Sequence, residues 1–119
     1  MQQLIEELKA LHEGVLGQPL VEEREPERVL ARLRAGESDF PLALRWDDQP
    51  HSVVVESLRS ERVFFFNPMQ AEDVQPGTLL GGTRDGPRRR SEEDGLESVA
   101  VEDFRALFSQ RQAVCLVPG

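Results

Sequence analysis

Three observations predict an α+β fold for this chain of 119 residues. Residues 1–36 place apolar side chains at helical spacing, residues 41–67 switch to a period of two in three short runs, and a second helical pattern appears only after residue 96. Helices set apart from antiparallel strands define that class. The length suits one domain, 1–119, with a helical part (1–36), an antiparallel part (41–67), a long loop (68–95) and a closing edge strand, helix and strand (96–119).

Each element has its own warrant. In the first helix, Leu4, Ile5, Leu8, Leu11 and Val15 share one face, and Gly14, Gly17 and Pro19 loosen or end it. Pro26 suits the first position of a second helix, which runs through Val29, Leu30 and Leu33 to Gly36 as the residue just past its end. Leu42, Leu44 and Trp46 then alternate with Ala43 and Arg45 as a strand, and Asp47 to Pro50 form a turn. His51 to Ser57 is a second strand, Arg59-Ser60-Glu61 a turn, and Arg62 to Phe66 a third strand. The runs Val53-Val54-Val55 and Val63-Phe64-Phe65-Phe66 are apolar on both faces, which predicts a sheet covered on both sides at least locally. Residues 68–94 lack periodicity, with a short strand at 78–80 as their one candidate element, and a stretch of that length is uncommon inside a compact domain. Residues 96–100 read as an edge strand and 101–108 as a helix with Glu102 and Asp103 in its first turn, where negative charge suits the dipole. Residues 113–117 close the chain as a strand stopped by Pro118.

Composition narrows the function classes. The formal net charge is -8, and 39% of residues are hydrophobic and 30% charged, which is globular composition. A strong acidic balance argues against nucleic acid or an anionic membrane as the main partner, because phosphate binding needs a basic footprint. The first nine residues have neither a leader's apolar block nor a membrane span, so the expected compartment is the cytoplasm. The single cysteine, Cys115, rules out an intrachain disulfide. With only His12 and His51 and no His-x-x-x-His pattern, neither a metal site nor any other cofactor is expected.

His51 opens the second strand and Asn67 closes the third. If the hairpin pairs residues whose numbers sum to 118, Val55 faces Val63, Val53 faces Phe65 and His51 faces Asn67, all on one side of the sheet. Opposed Cβ atoms about 4.5–5.5 Å apart would then allow a side-chain hydrogen bond. A sum of 119 would put His51 and Asn67 on opposite faces, and the turn sequence does not choose between the two. An imidazole oriented by a carboxamide is the base half of a cysteine-peptidase triad. The same residues also read as a strand-end histidine and a turn-forming Asn before Pro68.

Residues 27–68 resemble the second half of a papain-like domain of the bacteriocin-processing, double-glycine cysteine peptidase type. The likeness rests on Val29-Leu30-Ala31-Arg32-Leu33-Arg34-Ala35-Gly36, on Pro41-Leu42-Ala43-Leu44, on His51-Ser52-Val53-Val54-Val55, and on Val63-Phe64-Phe65-Phe66-Asn67-Pro68. The later helix with Phe104 and the strand through Cys115 are similar to the family's closing elements. Members of that family carry their cysteine nucleophile at the start of an N-terminal helix, after an oxyanion-hole glutamine. Here residues 1–15 hold Gln2 and Gln3 but neither Cys nor Ser. Since the thiolate is the nucleophile, the resemblance implies a domain with His51 and Asn67 as vestiges and no catalysis. Cys115, between Val114 and Leu116, reads as a small core hydrophobe.

The expected function is therefore a catalytically inactive papain-like module that binds a protein or peptide. Its candidate binding residues are His51, Asn67, Trp46 beside the turn, where Phe64 or Phe66 would complete an aromatic anchor, and Arg88, Arg89 and Arg90, a basic patch opposed by Glu92-Glu93-Asp94. Glu22, Glu23, Glu25 and Glu27 read either as an acidic docking face or as a solvated linker and helix start. Two alternatives stand beside the first function: a small acidic chaperone or immunity-type protein for a basic partner, and one subunit of a split cysteine peptidase whose thiol comes from a second chain.

Overall fold

Helix formation starts at the chain's beginning, where the apolar stripe of residues 1–16 needs a surface to lie on. The computed structural model of the chain describes residues 1–46, 48–66, 89–90 and 96–119. Their order is α1 (Gln2–Leu16), β1 (Leu20–Glu23), α2 (Pro26–Arg34), β2 (Phe40–Trp46), β3 (Gln49–Arg59), β4 (Arg62–Phe66), β5 (Arg89–Arg90), β6 (Leu96–Ala100), α3 (Val101–Gln110) and β7 (Val114–Pro118). The strands form one antiparallel sheet in the order β1-β7-β2-β3-β4-β6-β5. The α+β class holds. Among the described residues no helix is long and apolar enough to cross a membrane.

Each face of the sheet carries helices. On one side α1 lays Leu4, Ile5 and Leu8 over Leu20, Ala43 and Leu116. On the other, α2 and α3 cover the larger core, built around Leu30, Leu42, Leu44, Phe65 and Phe104. β7 serves both: Val114 and Leu116 face α1, while Cys115 and Val117 face the other helices. That is why this strand is an unbroken apolar run, as expected of a strand buried on both faces. The cover by α1 is local. On the β3–β4 side Val54 and Phe64 are half-buried and Phe66 is 40% exposed.

α2 ends as its sequence predicts. Gly36 takes the left-handed φ of 94°, its N–H donates to Leu33 O, and the N–H of Glu37 reaches back to Arg32 O at 3.1 Å. This pair of bonds satisfies carbonyls that the helix end leaves open. Glu27 in the first turn of α2 is paired with Arg105 of α3, and that hydrogen bond holds the Glu27 carboxyl below its ordinary value.

The β3–β4 hairpin departs from the 118 register. Ser60 and Glu61 both have positive φ, 51° and 59°, and form a two-residue turn that sets Arg59 opposite Arg62. Twist-matched hairpin turns of this kind require φ > 0 at both central positions. Between Val55 and Ser57 the ladder then shifts by one residue at a bulge, so that Val55 faces Phe65 and Val54 faces Phe66. The bulge decides the core. Leu58 and Val63 point inward near the turn, and without the extra residue Val53 and Val55 would point to the other face.

Three further readings change. Residues 20–23, within the stretch read as linker, form strand β1 on the edge of the sheet. Strand β6 is not an edge, because Arg89 and Arg90 of the expected loop pair with Ser98 and Glu97 beyond it. β3 begins at Gln49 and runs to Arg59, longer at both ends than expected. The candidate strand at 78–80 lies outside the described residues.

Candidate binding site at the strand ends

The β2–β3 hairpin and the α3–β7 connection meet at one end of the sheet. Trp46 pairs with Gln49, Arg45 with Pro50 and Leu44 with His51. In a strand, one residue's N–H and C=O point the same way. Arg45 turns its N–H toward the α3–β7 connection, where it donates to Arg111 O at 2.8 Å. Pro50 opposite it therefore occupies a pair that exchanges no hydrogen bonds across β2–β3, so its missing N–H costs that ladder nothing. Arg111 closes α3 with its own N–H on Leu107 O at 2.9 Å, and Gln112 turns the chain into β7 through a left-handed φ of 53°.

These elements enclose a cleft of about 290 Å³ lined by Arg45, Asp48, Gln110, Arg111 and Gln112. Asp48 is held at φ 61°, and one guanidinium nitrogen of Arg45 donates to its carbonyl over a long 3.4 Å. Among the described residues, the lining carries two guanidinium groups and one carboxylate. His51 is half-buried at the same end of the sheet, on the side that carries α2 and α3, whereas strand alternation puts Arg45 on the side of Ala43 and α1.

The expected site residues are distributed as follows. Trp46 and His51 come to the same sheet end as the cleft. Asn67 and Arg88 lie outside the described residues. The last described pair of the β3–β4 ladder is Val54 with Phe66, and His51 stands three residues further along β3. The register that was to set it across from the end of β4 is thus not the one adopted. Arg89 and Arg90 form β5 at the far edge of the sheet. Of the aromatic pair considered with Trp46, Phe64 is half-buried under the Arg59 guanidinium, 4.1 Å from its ring centre. His12 belongs to α1, on the opposite face from His51. Among the described residues no group of three or more His, Cys, Asp or Glu could hold a metal ion.

Two further features bear on function. Cys115 is 0% exposed in β7, and burial, followed by the charge of Glu23, pushes its thiol well above the ordinary range. The acidic stretch is largely paired within the chain: Glu22 with Arg24 at 2.8 Å, Glu23 with Arg28 at 4.0 Å, and Glu27 with Arg105. None of the cleft-lining residues stands out in the sequence. Arg45 and Arg111 carry no motif and are brought together only by sheet pairing. Comparison with protein-family models, with curated proteins and with solved structures finds no match to the chain.

Proposed function

We propose that the chain is a non-catalytic binding module, a papain-like domain without its nucleophile, that takes a peptide or a segment of another protein at the strand ends around His51 and Arg45. One observation carries this reading: the only thiol is sealed in β7, whereas the sheet end that bears His51 opens on a polar cleft. A nucleophilic cysteine needs a thiolate and access to substrate. Burial deprives Cys115 of both. A half-buried histidine at a strand end, without a thiol beside it, serves recognition rather than chemistry.

The test is a peptidase assay of the purified chain and of His51→Ala on a panel of unstructured peptides, with binding followed in parallel by calorimetry. Binding without turnover is the expected result. Turnover by the wild type that disappears in His51→Ala would overturn the proposal.

A further inference from the structure

α1 is packed on the sheet over its first half only. Ile5 is its one buried residue, and Met1, Leu4 and Leu8 lean on the same small core. Beyond Leu8 its apolar residues turn to solvent: Leu11 is 62% exposed, Val15 78% and Leu16 50%. A helix whose apolar face extends past the surface that covers it has contact area left to fill. We propose that this second half of α1 docks a basic amphipathic helix of a partner protein.

Its relief fits a helix. Glu7, Leu11 and Val15 follow one another four residues apart and form a ridge along α1. Ala10 and Gly14, both exposed, form the low row beside it. Helices pack by laying such a ridge into the groove of a neighbour, and a low row lets the neighbour's own ridge come close. Gly14 weakens a helix interior, and its φ is not left-handed. Among the described residues nothing stands within 4 Å of where its Cβ would be, so the chain's own packing does not call for glycine there.

Charge selects the kind of helix. Elsewhere in the chain glutamates pair with arginines, as Glu22 does with Arg24, Glu37 with Arg32 and Glu61 with Arg34. α1 differs. Glu6 and Glu7 accept from the side-chain amides of Gln2 and Gln3 at 2.9 and 3.4 Å, and Glu13 accepts from the N–H of Leu20 at 2.6 Å. All three donors are neutral, so these carboxylates keep their charge for an outside cation. Lys9 is the only Lys or Arg on the helix. Glu7 lies one turn before Leu11 on the ridge itself, so acidic and apolar contacts fall on one strip. An amphipathic helix that flanks its apolar face with Lys or Arg answers both. A second copy of the chain would bring its own acidic α1 against this one, which like charges oppose.

The test uses the full chain labelled with nitrogen-15 and three peptides about 18 residues long: an amphipathic helix of Leu and Lys, its counterpart of Leu and Glu, and a scrambled Leu/Lys peptide of the same composition with no apolar face. The amphipathic Leu/Lys peptide is expected to shift the amide signals of residues 7–16, to bind about tenfold or more tightly than the scrambled one, and to weaken as salt is raised. The Leu/Glu peptide should not bind. Leu11→Ser with Val15→Ser should lower affinity about tenfold or more. Gly14→Leu should do the same by filling the low row. Both variants should leave the rest of the spectrum in place, because all three positions are exposed.

Equal binding of the two Leu/Lys peptides would overturn the role of the apolar ridge. Shifts confined to the acidic stretch at residues 22–27 would overturn the location. Shifts of the α1 signals on concentrating the free chain, with a sedimentation mass of two copies, would make a second copy the occupant and overturn the basic partner. No binding of any peptide at about 1 mM, where association is weak, would overturn the proposal.

Discussion

Replacing Cys115 by Ala should make the protein less stable at neutral pH and more stable at alkaline pH. The side chain is 0% exposed and packed on both sides by strand neighbours. Deleting its sulfur leaves a small void worth about 1 kcal/mol, comparable to losing one buried methyl. That cost is independent of pH. The ionisation effect is not. In the unfolded chain the thiol loses its proton near pH 8.5, whereas burial in β7, with Glu23's charge nearby, keeps it protonated far above that. The folded state then holds a proton that the unfolded state has released, so stability is unaffected below about pH 8.5 and falls by about 1.4 kcal/mol per pH unit above it. At pH 10.5 the wild type has lost roughly 2.7 kcal/mol that Cys115→Ala retains. The variant, about 1 kcal/mol less stable at pH 7, should therefore be the more stable protein by roughly 1–2 kcal/mol. Urea unfolding followed by circular dichroism at steps from pH 7 to 10.5 measures the crossing. Parallel pH profiles for the two proteins would refute the reasoning, since they would mean that Cys115 ionises in the folded state. So would labelling of the native thiol within tenfold of the rate in the unfolded chain, and a nucleophilic role would return.

Other outcomes follow from the local geometry. Gly36→Ala should destabilise by about 1 kcal/mol in thermal or urea unfolding, because Gly36 holds φ 94° in the bonds that end α2. The double substitution Ser60→Asn with Glu61→Gly should stabilise by about 1 kcal/mol, since both residues already hold the positive φ that Asn-Gly turns prefer; a loss of stability would refute the turn assignment. Along α1, Ile5→Ala should cost about 2–5 kcal/mol, whereas Leu11→Glu and Val15→Glu should each stay within about 0.5 kcal/mol. The contrast follows from exposures of 2% for Ile5 against 62% and 78% for the other two, and equal costs at all three positions would mean that the whole helix is packed down.

Much of the fold was legible because its elements are strongly patterned. The apolar stripe of α1, Pro26 and Gly36 at the two ends of α2, the alternation of β2 and the acidic first turn of α3 are local signals, and each element formed within a few residues of its expected bounds. β1 was not legible. Leu20-Val21-Glu22-Glu23 has no alternation to mark a strand, and it becomes one because β7 has an open side to pair. The bulge at Glu56 was equally silent, since nothing in Val55-Glu56-Ser57 announces an extra residue.

The site divides along the same line. From the sequence alone come the chain's chemical limits: one cysteine, two histidines, an acid excess, and a strand that opens on His51. Composition and short-range spacing fix these, whatever the fold. Tertiary structure decided where those residues went and which others joined them. It sealed Cys115 between β1 and β2, set His51 opposite Leu44, and brought Arg45 beside Arg111 to make the cleft. Register is the physical reason. A strand's period is two, so a turn of one length or one bulged residue reassigns every partner and face beyond it, and that choice is made by packing over the whole sheet rather than by the residues that change sides.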